Sequence, residues 1–169
     1  MEIFDLPPPK HPGDPGFEDK FRRLAESDSR FDAHVGRMML DFIECLRRGV
    51  IGPRLGATVF PFRGELLWLH YADGQGHHTT IKVAIDYYDR SPLVDGLPQL
   101  HYRLSYDRPV SLTAEEVARL LEALRLNPDQ PGAVAARASR GPPVELRTRD
   151  VHAANSFVDE AIRECKHGA

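Results

Sequence analysis

The sequence predicts an α+β fold: a four-stranded antiparallel meander, with two helices before it and two after it, all packed on one face of the sheet. Three observations carry that expectation. Apolar residues recur at helical spacing from Phe31 to Arg48, the period changes to two between Thr58 and Tyr106, and helical spacing returns after Leu112. A chain of 169 residues sits in the one-domain range, where folding buries roughly 70% of the unfolded surface without disulfides or metal. Residues 1–13 form a proline-rich arm, and 14–169 are read as one α+β domain.

In the arm, Pro7, Pro8, Pro9 and Pro12 favour an extended polyproline conformation with a solvated backbone. Asp14 followed by Pro15 reads as the cap and first residue of a short helix that places Phe17, Phe21 and Leu24 on one side. The second helix is the strongest element. Val35, Met38, Met39, Phe42, Ile43 and Leu46 make one buried stripe, and Gly49 is suited to end it as a left-handed cap.

Gly52-Pro53 breaks the helical period. Thr58, Phe60 and Phe62 then alternate with Val59, Pro61 and Arg63, and because Pro61 cannot donate to a ladder this strand belongs at an edge. Leu66 to Tyr71 is a short apolar strand. Asp73-Gly74-Gln75-Gly76 supplies turn chemistry before Thr79 to Tyr87, with Ile81, Val83, Ile85 and Tyr87 on one face and Lys82, Ala84, Asp86 and Tyr88 on the other. Past Pro92, Gly96 and Pro98, Leu100, Tyr102, Leu104 and Tyr106 alternate against His101, Arg103, Ser105 and Asp107, so the meander has one wet face.

Thr113 and Glu116 form a capping-box pair, Leu112 staples to Val117, and Val117, Leu120, Leu121 and Leu124 give the third helix its buried face before Asn127-Pro128 stops it. Residues 127–149, rich in proline, glycine, alanine and arginine, read as a long irregular connection. The last helix starts near Asp150 and aligns Ala154, Phe157, Val158, Ala161, Ile162 and Cys165.

A net charge of −3 exerts no global pull toward nucleic acid or acidic lipid. The chain lacks a run of about 18 apolar residues, so no membrane span is expected. The opening MEIFDLPPPK has acids and prolines where a signal peptide has a basic and then an apolar stretch. Cys45 and Cys165, on different helices, are too few for a disulfide framework and fit a reducing, cytoplasmic setting. The preference for arginine over lysine points to a GC-rich, bacterial genome.

Several residue groups invite a chemical reading. His70, His77, His78 and His101 lie in or beside the strands, and zinc needs three or four such ligands, with Asp73 or Asp86 able to complete the set. No compact ligand motif joins them, and turn or wet-face histidines are the commoner outcome. His78-Thr79-Thr80-Ile81 resembles the histidine motif of two-histidine phosphoesterases, but at its only partner, His101-Tyr102-Arg103-Leu104, arginine replaces the required hydroxyl. Asp86, Asp89 and Lys82 resemble the acid-plus-lysine sets of metal-dependent nucleases, although Asp89 lies past the strand end. Both cysteines fall on or beside apolar helical faces, where a thiol behaves as a small hydrophobe. Arg137, Arg140, Arg147 and Arg149 make the 137–149 loop basic enough to touch phosphates, with Tyr88, His101 and Arg103 available for base stacking.

The order helix, four-strand meander, two helices resembles ubiquitin-conjugating and RWD-type domains, whose tyrosine–proline loop is loosely matched by Tyr87, Tyr88, Pro92 and Pro98. The conjugating enzymes carry a cysteine shortly after the fourth strand, and residues 107–116 contain none, so the resemblance implies a non-catalytic interaction module. The leading expectation is therefore a non-enzymatic cytoplasmic protein of adaptor, chaperone or immunity type. It needs no cofactor and binds another protein through the face bearing Lys82, Asp86, Tyr88, His101 and Arg103. A nucleic-acid-associated factor using the arginine loop is the alternative, and a small metal-dependent hydrolase centred on the histidines is the third.

Overall fold

A computed structural model describes residues 10–60, 64–87, 92–108, 115 and 143–167. Its elements are α1 (Asp19–Ala25), α2 (Arg30–Arg48), a one-turn 3-10 helix (Gly52–Arg54), β1 (Gly56–Val59), β2 (Glu65–Ala72), β3 (His78–Tyr87), β4 (Leu100–Tyr106), β5 (Val144–Thr148) and α3 (Val151–His167). The strands form one sheet in the order β1-β2-β3-β4-β5, each antiparallel to its neighbours. The class is α+β, with five strands where four were expected.

The added strand lies inside the stretch read as irregular. Val144 and Leu146 alternate with Glu145 and Arg147, a period-two pattern that pairs with Tyr102 to Tyr106 and places both apolar residues against the core. Flanking prolines and arginines hide this five-residue alternation in the composition of the segment. The helix expected over Thr113 to Leu124 lies outside the described residues, apart from Glu115.

Two helix ends also differ from expectation. The first helix begins at Asp19, not Pro15, because Gly16 takes a positive φ of 76° and interrupts the turn that Asp14 and Pro15 start. Asp14 instead closes a tight turn, its Oδ2 accepting from the His11 N–H at 2.9 Å. Gly49 is extended (φ −80°), and its N–H donates to Leu46 O at 3.1 Å, so α2 ends without a left-handed residue. At the other end, Ser29 caps α2 by accepting from the Asp32 N–H at 3.3 Å.

The core lies between the helices and one face of the sheet. Met39, Phe42, Ile43 and Leu46 of α2 and Phe157, Val158 and Ile162 of α3 pack with Leu67, Leu69, Ile81, Val83, Tyr102 and Leu104. Burying each such side chain stabilises the fold by roughly 1.5–3 kcal/mol. Where tyrosines enter this core their hydroxyls are satisfied: Tyr102 donates to Met38 O at 2.7 Å, and Tyr106 donates to the Glu164 carboxylate, which also holds Arg108 at 2.6 Å. Burial first, and then the Glu164 contact, pushes the Tyr106 phenol up to about 12.

Helices α1 and α2 cross at Gly36, where an added Cβ would stand 2.3 Å from Ala25 N and 2.7 Å from Phe21 O. Beside that crossing, buried Glu18 receives Arg47 and, at 2.7 Å, Arg22, while Arg47 Nε donates to Pro12 O at 2.6 Å. This network ties the N-terminal turn to both helices. Nearby, Ala57 N–H donates to Lys10 O at 2.7 Å, so Lys10 pairs with part of the outer edge of β1.

Candidate functional site

The face of the sheet turned away from the helices carries the residues with chemical interest. A β-bulge sets its phase. Glu65 pairs with Ala84 and Leu67 with Val83, so an extra residue enters β2, and both Leu66 and Leu67 are buried. From there Trp68 and His70 turn outward while Leu69 and Tyr71 turn to the core. One row of outward side chains then crosses all five strands: Thr58, Trp68, Lys82, Ser105 and Glu145.

Trp68 organises that row. Phe60 meets its ring edge-on with centroids 4.9 Å apart, Lys82 Nζ lies 5.0 Å from the ring centroid, and its indole N–H donates to Glu65 at 2.7 Å. The ring remains partly exposed, as does Lys82. Farther along the same face, toward β4 and β5, are two ion pairs, Arg103–Asp86 at 2.5 Å and Arg147–Glu145 at 2.8 Å. Trp68 was passed over at the sequence level, because Leu66 to Tyr71 reads as one apolar run. A lone tryptophan between alternating leucines was the available signal.

Of the interaction residues expected from sequence, Lys82, Asp86 and Arg103 share this face, and Tyr88 lies outside the described residues. His101 is a correction. It stands on the same face opposite Asp86 but is only 5% exposed. Burial lowers its pKa, the Asp86 charge opposes that, and Arg147, Arg149 and Arg103 add to it.

The histidines do not converge. Both ring nitrogens of His70 are engaged by threonine hydroxyls, Thr58 at 3.0 Å and Thr80 at 3.1 Å, and burial lowers its pKa. His77 bonds Asp73 at 2.9 Å, where Asp73 also accepts from the Gln75 and His77 N–H groups and closes the hairpin. His78 is exposed beside Gly76 O. His101 is opposite Asp86, six residues along β3 from the Thr80 that faces His70, which is about 20 Å at strand rise. Among the described residues no group of three or more His, Cys, Asp or Glu can hold a metal ion. The same separation keeps the His78 and His101 segments from facing each other, and Asp89 lies outside the described residues.

Cys165 is buried, which raises its thiol pKa. Cys45 Sγ stands 3.7 Å from His152 Nδ1 across the α2–α3 contact. Arg137 and Arg140 lie outside the described residues. Arg147 is held by Glu145, and Arg149 lines a cleft of about 660 Å³ in which Arg30 and Arg37 stand with Asp41, Asp95 and Asp150. The cleft is balanced in sign, not basic. No helix among the described residues is long and apolar enough to cross a membrane.

Comparisons with protein-family models, with curated proteins and with solved structures find no match to this chain.

Proposed function

We propose that this protein is a non-enzymatic interaction module of the cytoplasm, with an adaptor, chaperone or immunity-type role, and that it binds another protein through the outer face of its sheet. The observation that carries the reading is the partly exposed Trp68, packed against Phe60 and Lys82 on an otherwise polar face. Tryptophan and arginine dominate the binding energy of protein interfaces, most of all where an aromatic anchor is ringed by polar groups. Paired charges of both signs, Asp86 with Arg103 and Glu145 with Arg147, suit a partner of mixed charge better than a polyanion. That balance, repeated in the cleft around Arg149, is why a protein partner is favoured over nucleic acid.

The test is affinity capture from the source cells with nuclease present, comparing the wild-type chain with Trp68→Ser and with Lys82→Glu. The reading expects a stoichiometric protein that the wild type retains and both variants lose, while their circular dichroism spectra match the wild type. A partner retained equally by all three chains would show that this face is not the interface. Capture that disappears with nuclease would favour the arginine-loop alternative.

A further inference from the structure

Between the N-terminal helices and the Tyr87 end of the sheet lies a cavity of about 690 Å³. Leu24, Phe31 and Val35 line it from the helices, and Leu66, Ile85 and Tyr87 from β2 and β3. Such a volume, with mostly apolar walls and few polar groups, is typical of small-molecule sites. Phe31 and Tyr87 meet edge-on across it with ring centroids 5.9 Å apart.

Among the described residues three charged side chains also line the cavity: Lys20, Asp32 and Asp86. They are not equivalent. Asp86 already receives Arg103 at 2.5 Å, and Asp32 stands in the first turn of α2, where the helix dipole favours a negative charge. Lys20 Nζ is shut off from solvent and has no hydrogen-bond acceptor among the described residues, and it lies 5.8 Å from the centroid of the Phe21 ring. An ammonium with its donors unmet is costly to keep, and burial lowers its pKa accordingly. Lys20 also stands four residues before Leu24 on α1, so helix geometry puts both on the side that lines the cavity.

We propose that this cavity binds a small monocarboxylate with an apolar body, a medium-chain fatty acid or aryl-alkanoate, whose carboxylate pairs with Lys20 once the side chain turns its covered Nζ toward the cavity. A single ammonium matches a single negative charge. A phosphate dianion would meet Asp32 and Asp86 with Lys20 the one lining cation among the described residues to offset them. A neutral apolar ligand would leave Lys20 as unsatisfied as before, and discrimination by an unpaired polar group is the stronger kind. The cavity and the outer face share Asp86, but Lys20 belongs only to the first and Trp68 only to the second, so each assignment is tested without the other.

The experiment is isothermal titration of the full chain with decanoate, and with decanol and decyltrimethylammonium as neutral and cationic ligands of equal tail length. Decanoate is expected to bind at one site per chain, at least ten-fold tighter than decanol and the cation. Lys20→Met keeps the stem and removes the charge; it should weaken decanoate roughly ten- to a hundred-fold, to the level of decanol, while Lys20→Arg retains most of the affinity. Unliganded Lys20→Met should melt at or above the wild-type temperature, because an unmatched ammonium has been removed. Equal binding of decanol and decanoate, preference for the cation, decanoate affinity unchanged in Lys20→Met, or no binding of decanoate would each overturn the proposal.

Discussion

Replacing Glu18 by glutamine removes the charge at the centre of the Arg22–Glu18–Arg47 network and leaves its shape. The hydrogen bond from Arg47, working against burial and helped by the charges of Arg47 and Arg22, lowers the Glu18 carboxyl from its ordinary 4.5 to about 2. At about 1.4 kcal/mol for each tenfold in proton affinity, that corresponds to at most roughly 3–4 kcal/mol of folding free energy at neutral pH. Both cations reach water, with side-chain exposures of 58% for Arg22 and 32% for Arg47, so screening reduces the expected effect to roughly 1–2 kcal/mol. The sign follows from the lowered pKa. The contribution is fully present above the unfolded value of 4.5 and is lost as pH falls toward the folded value of about 2. Urea denaturation followed by circular dichroism, run on wild type and Glu18→Gln in parallel, measures the difference while effects common to both chains cancel. The gap should be widest at pH 7 and close steadily between about pH 5 and about pH 2. A gap that does not change over that range would refute the assignment of Glu18 as a charged keystone.

Gly36→Ala forces a methyl group into the backbone of α1, 2.3 Å from Ala25 N, and should destabilise the fold by about 2–3 kcal/mol; thermal unfolding at or near the wild-type midpoint would show that the two helices part easily. His70, whose pKa burial lowers below 6.5, contributes stability that is present above that value and is lost as pH falls below it. His70→Gln should therefore flatten the decline in wild-type stability between pH 7 and pH 5, leaving the share that His101 contributes in the same direction; an unchanged slope would contradict this. Trp68→Ser, on the outer face, should lower stability by about 1–2 kcal/mol through the lost Phe60 and Lys82 contacts, and a loss beyond about 4 kcal/mol would make Trp68 a core residue and not a surface anchor.

Long periodic elements were legible in the sequence. The α2 stripe from Val35 to Leu46, the alternation through β3 and β4, and the edge position of the strand before Pro61 all rest on spacing that local backbone geometry enforces. Failures came where one local feature shifts the phase. The bulge at Glu65 turns two consecutive leucines inward and so hides Trp68, and Gly16 delays α1 by several residues. β5 is only five residues long and pairs with a strand about forty residues earlier in the chain, so composition outweighed its alternation. The site was less legible than the fold. Lys82, Asp86 and Arg103 were placed on one face by alternation alone, but His101 was expected to be exposed and is buried. The convergence of α1, α2, β2 and β3 around Lys20 is a tertiary outcome with no spacing signature in any single segment.

The most direct test of the outer-face assignment uses Trp68 itself, the only tryptophan in the chain. Its emission and its quenching by acrylamide would be recorded for the free protein and for the complex with the partner that capture yields, using a partner fragment without tryptophan or a wild-type minus Trp68→Phe difference. The account predicts a blue shift and at least a severalfold loss of quencher access on complex formation, because the indole passes from partial exposure into a desolvated interface. Emission and quenching unchanged in a saturated complex would contradict the claim that this face holds the partner.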